Sequence, residues 1–379
     1  MNGICRIDRI IRFWVLDFGL GIEILFLIPF YLFPSFVDKR KIMNNETRMQ
    51  YRAVREAAGY FRREDHGWIA VYGLDRLTWL QGMVSADTRL MALGTATRLP
   101  ACLLDSTGHL ISDMALINVT GKEAFVLLDL PRRNQARVMA LLDRYIIMED
   151  VTLEDWSEKW GCVTLQGPDS LRIADSLRSL FPEANDALSG AIEVMADHTG
   201  SGGWDIFASA SLLPALIASL EERGAIEIGA EAQDILRIEA GIPKYGADMD
   251  ETNIALEAGL GPTHISMTKG CYIGQEIIAR IDSRGHTNRA LTGFTIASSE
   301  LPSPGDKIYA ITGDGAERET GRLTSVIAES PAMDGSAIAL GYARHEHRQP
   351  ETTLTARGEN RKARLCVTEL PFYPRKGGR

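Results

Sequence analysis

A strand–Gly–Asp–helix unit occurs twice in this chain, and that repetition narrows the possible folds more than any other feature. Trp68-Ile69-Ala70-Val71-Tyr72 reads as a strand, Gly73 turns the chain, and Asp75 stands where it can cap a helix starting at Arg76. Cys162-Val163-Thr164-Leu165-Gln166 is a second such run, followed by Gly167, Pro168, Asp169 and Ser170. The pairs Gly73/Gly167, Asp75/Asp169 and Leu77/Leu171 share one offset of 94. Each copy leads into a helical stretch and then into hairpin-like strands. Residues 101–104 and 110–118 flank the turn Asp105-Ser106-Thr107-Gly108, and residues 191–196 and 204–208 flank the turn around Gly200-Ser201-Gly202-Gly203. A duplicated α+β unit accounts for this pattern. The succession is common, so chance recurrence stays an alternative. A pocket between two such halves is a frequent arrangement.

Around the repeat, residues 49–61 read as a helix, with Tyr51, Val54, Ala57, Ala58 and Phe61 on one face. Residues 231–239 read as another, ended by Gly241 and Pro243. Residues 248–268 are Gly-rich and irregular, and 274–282 form a helix with Ile277, Ile278 and Ile281 as its buried stripe. From Leu291 the pattern changes. Short β-branched runs at 291–296, 307–311, 321–328, 337–342, 353–356 and 363–367 alternate with Gly, Pro and Asp turns, predicting a small β-barrel. The expected organisation is an apolar extension over 1–43, two related α+β lobes over 49–290, a β-barrel over 291–373 and a mobile basic tail over 374–379.

The extension is unusual. Residues 13–33 are strongly apolar, with Arg6, Arg9 and Arg12 before them and Lys39, Arg40 and Lys41 after. Length permits a membrane span. Asp17 and Glu23 oppose it, since an acid near a helix centre costs about 2.5–3.5 kcal/mol on insertion scales. No convincing small-residue cleavage site follows, so a secretory signal is not expected. Three readings stay open: a membrane contact, a packed extension, or a stretch outside the mature protein with Met43 or Met49 as the working start. We favour the third.

The formal net charge of -9 argues against a broad nucleic-acid surface, so no direct nucleic-acid binding is expected. Five widely spaced cysteines (Cys5, Cys102, Cys162, Cys271 and Cys366) fit a reducing, cytoplasmic compartment better than a disulfide scaffold. No clustered Cys/His set suggests a metal framework. His345-Glu346-His347 puts two histidines on one face if the segment is a strand, but two ligands without a third make a poor metal site. Cys102, Cys162 and Cys366 lie in apolar runs and read as core residues.

Cys271 is different. It lies in Lys269-Gly270-Cys271-Tyr272-Ile273-Gly274-Gln275-Glu276, just before the expected helix at 274–282. A helix N-terminus and Lys269 would both stabilise its thiolate, while Gly270 and Gly274 would let the backbone pass close to a ligand. Taken by itself, such a cysteine is as readily a small buried residue in a Gly turn. Seven specified positions of K-G-C-Y-x-G-Q-E, followed by Arg280, Arg284-Gly285 and Arg289, resemble the signature of the YgfZ-type folate-binding proteins, relatives of the glycine-cleavage aminomethyltransferases. Leu236-Arg237-Ile238-Glu239-Ala240-Gly241-Ile242-Pro243 resembles the L-R-x-E-x-G-x-P stretch of those relatives, and Thr199 to Ile206 their T-G-E-x-G-F-E-I hairpin. The resemblance runs from about Met49 to Tyr373.

That resemblance implies an α+β fold: two related lobes plus a C-terminal β-barrel in a three-lobed ring around a folate pocket. It implies tetrahydrofolate, or a one-carbon derivative, as the ligand. It assigns Asp205 to the pterin-contacting acid, one methylene shorter than the usual Glu, and Arg237 to the basic pocket position, able to pair with Asp205 or bind the ligand. His198 stands where the relatives usually have Tyr. The ligand-binding set is then Asp205, Arg237, His198, Lys269, Gly270, Tyr272, Gly274, Gln275, Glu276 and Arg280, with Cys271 and Asp113 as the groups able to do chemistry. The relatives carry two adjacent acids where this chain has Ser112-Asp113. Asp129 replaces a usual Asn, and the transferases lack the cysteine. The implied role is a folate-binding accessory protein for iron–sulfur cluster assembly or repair, with assembly proteins or client enzymes, including tRNA-modifying ones, as partners. Two rivals stand beside it: a tetrahydrofolate-dependent aminomethyltransferase, and a binding scaffold without chemistry.

Overall fold

A computed structural model describes residues 43–94, 97–121, 124–178, 190–298, 300–313 and 315–374. The apolar stretch 13–33, with the rest of 1–42, and the tail residues 375–379 lie outside them. In chain order the elements begin with α1 (Asn45–Glu56), β1 (Gly59–Arg62), β2 (His66–Tyr72), α2 (Arg76–Met83) and α3 (Arg89–Ala92). Next come β3 (Arg98–Leu104), β4 (Leu110–Val119), β5 (Phe125–Pro131), α4 (Arg132–Asp143), β6 (Thr152–Asp155), β7 (Trp160–Gln166) and α5 (Ser170–Leu177). Then follow β8 (Ala191–Met195), β9 (Gly203–Ser209), α6 (Leu213–Glu222), β10 (Ile226–Glu227), α7 (Ala230–Glu239), α8 (Gly261–His264) and α9 (Gln275–Arg284). The C-terminal part holds β11 (Arg289–Ile296), β12 (Lys307–Ile311), β13 (Glu317–Ser330), β14 (Ser336–Arg344), β15 (Thr353–Arg357) and β16 (Lys362–Thr368). No helix among the described residues is long and apolar enough to cross a membrane.

The strands form two five-stranded sheets, ordered β3-β4-β5-β2-β6 and β10-β1-β7-β9-β8, and a closed six-stranded barrel ordered β11-β14-β13-β12-β15-β16. The fold is therefore two α+β lobes plus a β-barrel. The repeated unit is visible in both lobes. β2 and β7 each end in a glycine at positive φ, 103° at Gly73 and 120° at Gly167. A Cβ on Gly73 would stand 1.8 Å from the Asp150 carbonyl oxygen, and one on Gly167 would stand 2.6 Å from that of Ala57, so both turns exclude any larger residue. Asp75 and Asp169 follow with nearly the same backbone angles and open α2 and α5. Neither side chain caps its helix, however. Asp75 instead accepts a hydrogen bond from the Asp150 backbone N–H at 2.9 Å, tying its turn to the start of β6.

The expected helix at 49–61 begins earlier and ends at Glu56, with Asn44 accepting from the Thr47 N–H as its cap. Residues 59–62 are instead strand β1, which pairs antiparallel with β7 and parallel with β10 in the second sheet. Tyr60 and Ala58 are buried there, a use of apolar residues that a short window cannot tell from a helical face. The consequence is topological. The chain starts in the second lobe at β1, crosses to the first at β2, and returns at β7.

The two sheets face each other across a layer containing Trp68, Ala115, Leu127, Trp156, Cys162 and Phe207. Full burial of large side chains like these contributes about 1.5–3 kcal/mol each. The barrel joins the second lobe through α7, where Ile238 packs on Ile338, Leu340 and Phe372. It joins the first through residues 245–260: Leu291 N–H donates to the Glu257 carbonyl at 2.7 Å, while Tyr245, Met249 and Leu260 pack with Leu104 and Leu110. The three lobes thus close a ring. Cys102 and Cys162 are buried and Cys366 half-buried. The His345–His347 segment is a 3-10 turn rather than a strand, with His345 exposed and His347 half-buried, so the two histidines do not share a strand face.

Candidate functional site

The site forms where the chain crosses between sheets. Arg63 follows β1 and its N–H donates to the Cys162 carbonyl at 3.0 Å, which fixes its backbone to the second lobe. Its buried guanidinium serves both lobes. Nη1 donates to Asp129 Oδ2 on β5 at 3.0 Å and to Asp205 Oδ2 on β9 at 3.2 Å. Two imidazoles complete the cluster. His66 Nδ1 lies 2.8 Å from Asp129 Oδ1, and His198 Nε2 lies 2.9 Å from Asp205 Oδ1. With a proton on each of these nitrogens, both rings donate to the carboxylates.

The electrostatics follow. Burial works against the charge on Arg63, but Asp129 and Asp205 outweigh it and keep the group cationic. Burial also pushes Asp129 up, and Arg63 and His66 more than reverse this, bringing it down to about 2. Asp205 is held far below the usual carboxylate range in the same way, by His198 and Arg63 against burial. His198 itself is lowered, mainly by burial, so its neutral ring is the form favoured at neutral pH.

A cavity of about 1020 Å³ opens over this cluster. It lies at the upper end of the roughly 300–1,000 Å³ typical for drug-sized ligands. Its wall includes Arg63, His66, Arg98, Asp113, Asp129 and His198, together with Tyr245 and part of the segment 259–264. Asp205 is fully buried and is not part of the wall. Asp205 reaches the wall only through the side chains bonded to it, His198 and Arg63. His198 lines the cavity with the Asp205 carboxylate hydrogen-bonded to its Nε2.

Asp113 is the carboxylate that the wall leaves open. Its Oδ1 is buried and has no hydrogen-bond partner, and burial raises its pKa. An unpaired buried polar atom in a cavity wall is a place for a ligand donor. Neighbouring strand residues point to opposite faces. Ala115 and Ile117, in step with Asp113, face the other sheet, while Met114 and Leu116 pack on the helical side. Ser112 belongs to that second set and accepts a hydrogen bond from Asn134 of α4 at 3.2 Å.

Arg237 lines the cavity but does not pair with Asp205. It donates to Asp248 at 2.6 Å, to Asp234 at 2.7 Å and to Ser325 at 3.0 Å. With Asp234 it also lines a neighbouring cavity of about 850 Å³ between α7 and β13. The place expected for it beside Asp205 belongs to Arg63.

The Cys271 segment stands elsewhere. No residue from 269 to 280 lines the cavity. Lys269 is buried, and Nζ donates to the carbonyls of Gln81, Val84 and Ala86 at 2.7, 2.5 and 2.7 Å. All three ammonium protons are thus used. Burial lowers its pKa to about 8. Tyr272 is buried against Cys102 and Leu104. Gly274 has φ 82°, and a Cβ on it would stand 2.5 Å from the Asp105 carbonyl oxygen, so the first-lobe hairpin seats against it. Gly270, Cys271, Glu276 and Arg280 are exposed, and Gln275 is half-buried. Cys271 precedes the cap residue Gly274 by three positions and lies outside the first helical turn, where a dipole effect would be strongest. The segment is a rigid frame that holds an exposed thiol.

Sequence reasoning passed over Arg63, His66 and Arg98, and noted Asp129 only as a departure. One signal was available. Phe125-Val126-Leu127-Leu128-Asp129-Leu130-Pro131 is apolar but for its acid, and an acid buried in such a strand requires a cation. The charged run at 63–66 between two apolar strands supplies it. Among the described residues no group of three or more His, Cys, Asp or Glu side chains is arranged to hold a metal ion.

Comparison with known proteins gives a consistent family. The model of the GCVT N-terminal domain matches residues 26–269, and that of the glycine cleavage T-protein C-terminal barrel domain matches residues 289–374. The first match begins at residue 26, upstream of the resemblance that starts at about Met49. An aminomethyltransferase of Rubrobacter xylanophilus is 30% identical over 339 residues, covering 87% of each chain. One of Shouchella clausii is 26% identical over 344 residues, covering 86% of this chain and 90% of that one. The crystal structure of glycine cleavage system aminomethyltransferase T from Bartonella henselae superposes with a TM-score of 0.74 at 20% identity, covering 87% of this chain and 90% of that one, a likeness of fold.

Proposed function

The chain belongs to the glycine cleavage T-protein family, and on that premise we propose that it binds tetrahydrofolate, or a one-carbon derivative, in the interlobe cavity and acts as an accessory protein for iron–sulfur cluster assembly or repair. TRNA-modifying iron–sulfur enzymes are among the clients this reading includes. The observation that carries it is the separation of two sites. The cavity offers an unpaired buried acceptor at Asp113, while Cys271 is an exposed thiol away from the cavity wall. A thiol serving chemistry inside the cavity would be expected to line it. One on a rigid external frame is suited to meet a partner protein.

The residues present fit a folate. Asp113 is placed to accept from an N–H-bearing ring edge, and His66, Asp129 and His198 supply further polar contacts. Tetrahydrofolate, when bound, supplies a carrier for a one-carbon unit. The chain's own contribution is to orient it between the lobes and to present Asp113, whose pKa is raised by burial, as an acceptor in the wall.

A host strain lacking the gene, complemented with the Cys271→Ala protein, should show loss of iron–sulfur enzyme activity, measured for instance as tRNA modification. Normal activity with that variant at wild-type protein levels would contradict the accessory role. Asp113 also favours a second reading, aminomethyl transfer, because the acid retained in Ser112-Asp113 lines the cavity. Formation of methylenetetrahydrofolate from an aminomethyl donor would establish that reading, and its absence would remove it.

A further inference from the structure

The charges around the cavity do not cancel locally. Most cations in its wall are answered by the protein: Arg63 by Asp129 and Asp205, Arg132 by Glu158, Arg237 by Asp234 and Asp248, Lys244 by Asp65, and Arg133 by the Tyr245 ring, 5.9 Å from its guanidinium carbon. Arg98 is not. It opens β3 at the edge of the first sheet and lines the cavity, yet forms no ion pair or side-chain hydrogen bond among the described residues. Its Nε is buried and has no acceptor. A guanidinium at a cavity wall with a buried, unpaired Nε and no protein acid has donors available to an anion.

Its neighbours point the same way. His198 and His264 line the same cavity, and both are lowered, first by burial and also by the nearby Arg98 charge. For His264 the value is about 4, so the Arg98 charge stands beside two neutral rings at neutral pH. The asymmetry is a feature of a binding wall: Arg63, Arg132, Arg237 and Lys244 are each matched by an acid and Arg133 lies over the Tyr245 ring, whereas Arg98 has neither kind of partner.

We propose that Arg98 is the anion anchor of the interlobe cavity and takes a carboxylate of the ligand or of a co-ligand. The proposal deepens the folate reading and rests on it for the identity of the ligand. The carboxylate has two possible sources, the glutamyl part of the folate itself or a separate small anion bound beside it, and the recognising chemistry is the same.

The test uses the full chain, wild type and Arg98→Met, titrated with three probes: tetrahydrofolate, tetrahydropteroate (which lacks the glutamyl carboxylates) and L-glutamate alone. Loss of one charge-assisted contact should weaken binding about ten- to a hundredfold. Weaker tetrahydrofolate binding in Arg98→Met, with tetrahydropteroate unchanged, assigns the anchor to the folate's own carboxylates. Loss of L-glutamate binding with both pterins unchanged assigns it to a separate anion. Equal weakening of both pterins, or no change with any probe, overturns the proposal. A wild type that binds neither pterin ends the folate reading, and the L-glutamate arm then decides the anchor by itself: loss in the variant supports it, and no binding or no difference overturns it. If Arg98→Met does not fold, Arg98→Lys and the salt dependence of wild type serve. Charge retention with partial affinity, and a salt slope for tetrahydrofolate but not tetrahydropteroate, are expected. A lysine variant indistinguishable from wild type together with equal salt slopes would overturn the anchor.

Discussion

Arg63→Met should be among the most damaging single substitutions in the protein, costing about 3–5 kcal/mol of stability because it leaves the buried carboxylates of Asp129 and Asp205 without their cation. The loss has a pH signature. Asp129 has a folded pKa of about 2 against an unfolded value of roughly 3.9. A depressed carboxylate contributes stability that is fully present above the unfolded value and is lost as pH falls through the folded one. Asp205 is shifted in the same direction. Wild type should therefore lose stability as pH falls below about 4. In Arg63→Met the two acids take up protons more readily, so the deficit relative to wild type should shrink between pH 7 and pH 3. Urea midpoints across that range measure it. A constant deficit would show that Arg63 acts through packing rather than charge.

The second large effect is expected at Glu239, far from the cavity chemistry but central to the ring. It is fully buried and accepts from Arg55 at 2.7 Å, Tyr51 at 2.9 Å, Ser330 at 2.6 Å and the Ala332 N–H at 3.1 Å. These donors come from α1, from the end of β13 and from the turn after it, while Glu239 itself ends α7. Arg55 in turn holds the Thr199 carbonyl at 2.7 Å and Ser201 at 2.8 Å, on the loop that carries His198. Glu239→Ala strands a buried arginine and several donors, at an expected cost of about 3–5 kcal/mol. Glu239→Gln keeps the shape and part of the bonding and should cost clearly less. Equal costs for the two variants would mean that charge alone sets the effect. Chemical denaturation of both variants checks this.

Much of the fold was legible because it was written in local pattern. The Gly73/Gly167 and Asp75/Asp169 pairs marked two real strand–helix junctions, since a positive φ and a close backbone approach leave only glycine. Alternation after Leu291 marked the barrel strands. Strand β1 was not legible, because its partners β7 and β10 lie about a hundred residues or more away and short apolar runs do not reveal pairing. The same blindness hid the site. Arg63 matters only because β1 sits in one sheet and β2 in the other. The burial of Asp205 behind His198 and Arg63 was likewise not legible, because nothing local shows that those side chains stand between it and the cavity. The Cys271 signature specified a precise local frame, with Lys269 and Gly274 locking it, and carried no information about its distance from the ligand wall.

The central claim is that the interlobe cavity binds a folate and that Cys271 serves a separate site. Anaerobic calorimetric titration of tetrahydrofolate into wild type, Asp113→Ala and Cys271→Ala tests it directly. Wild type and Cys271→Ala should bind within about twofold of each other, and Asp113→Ala about tenfold or more weakly, as expected for loss of a charge-assisted or buried hydrogen bond. No binding by wild type, or a Cys271→Ala loss as large as that of Asp113→Ala, would contradict the claim.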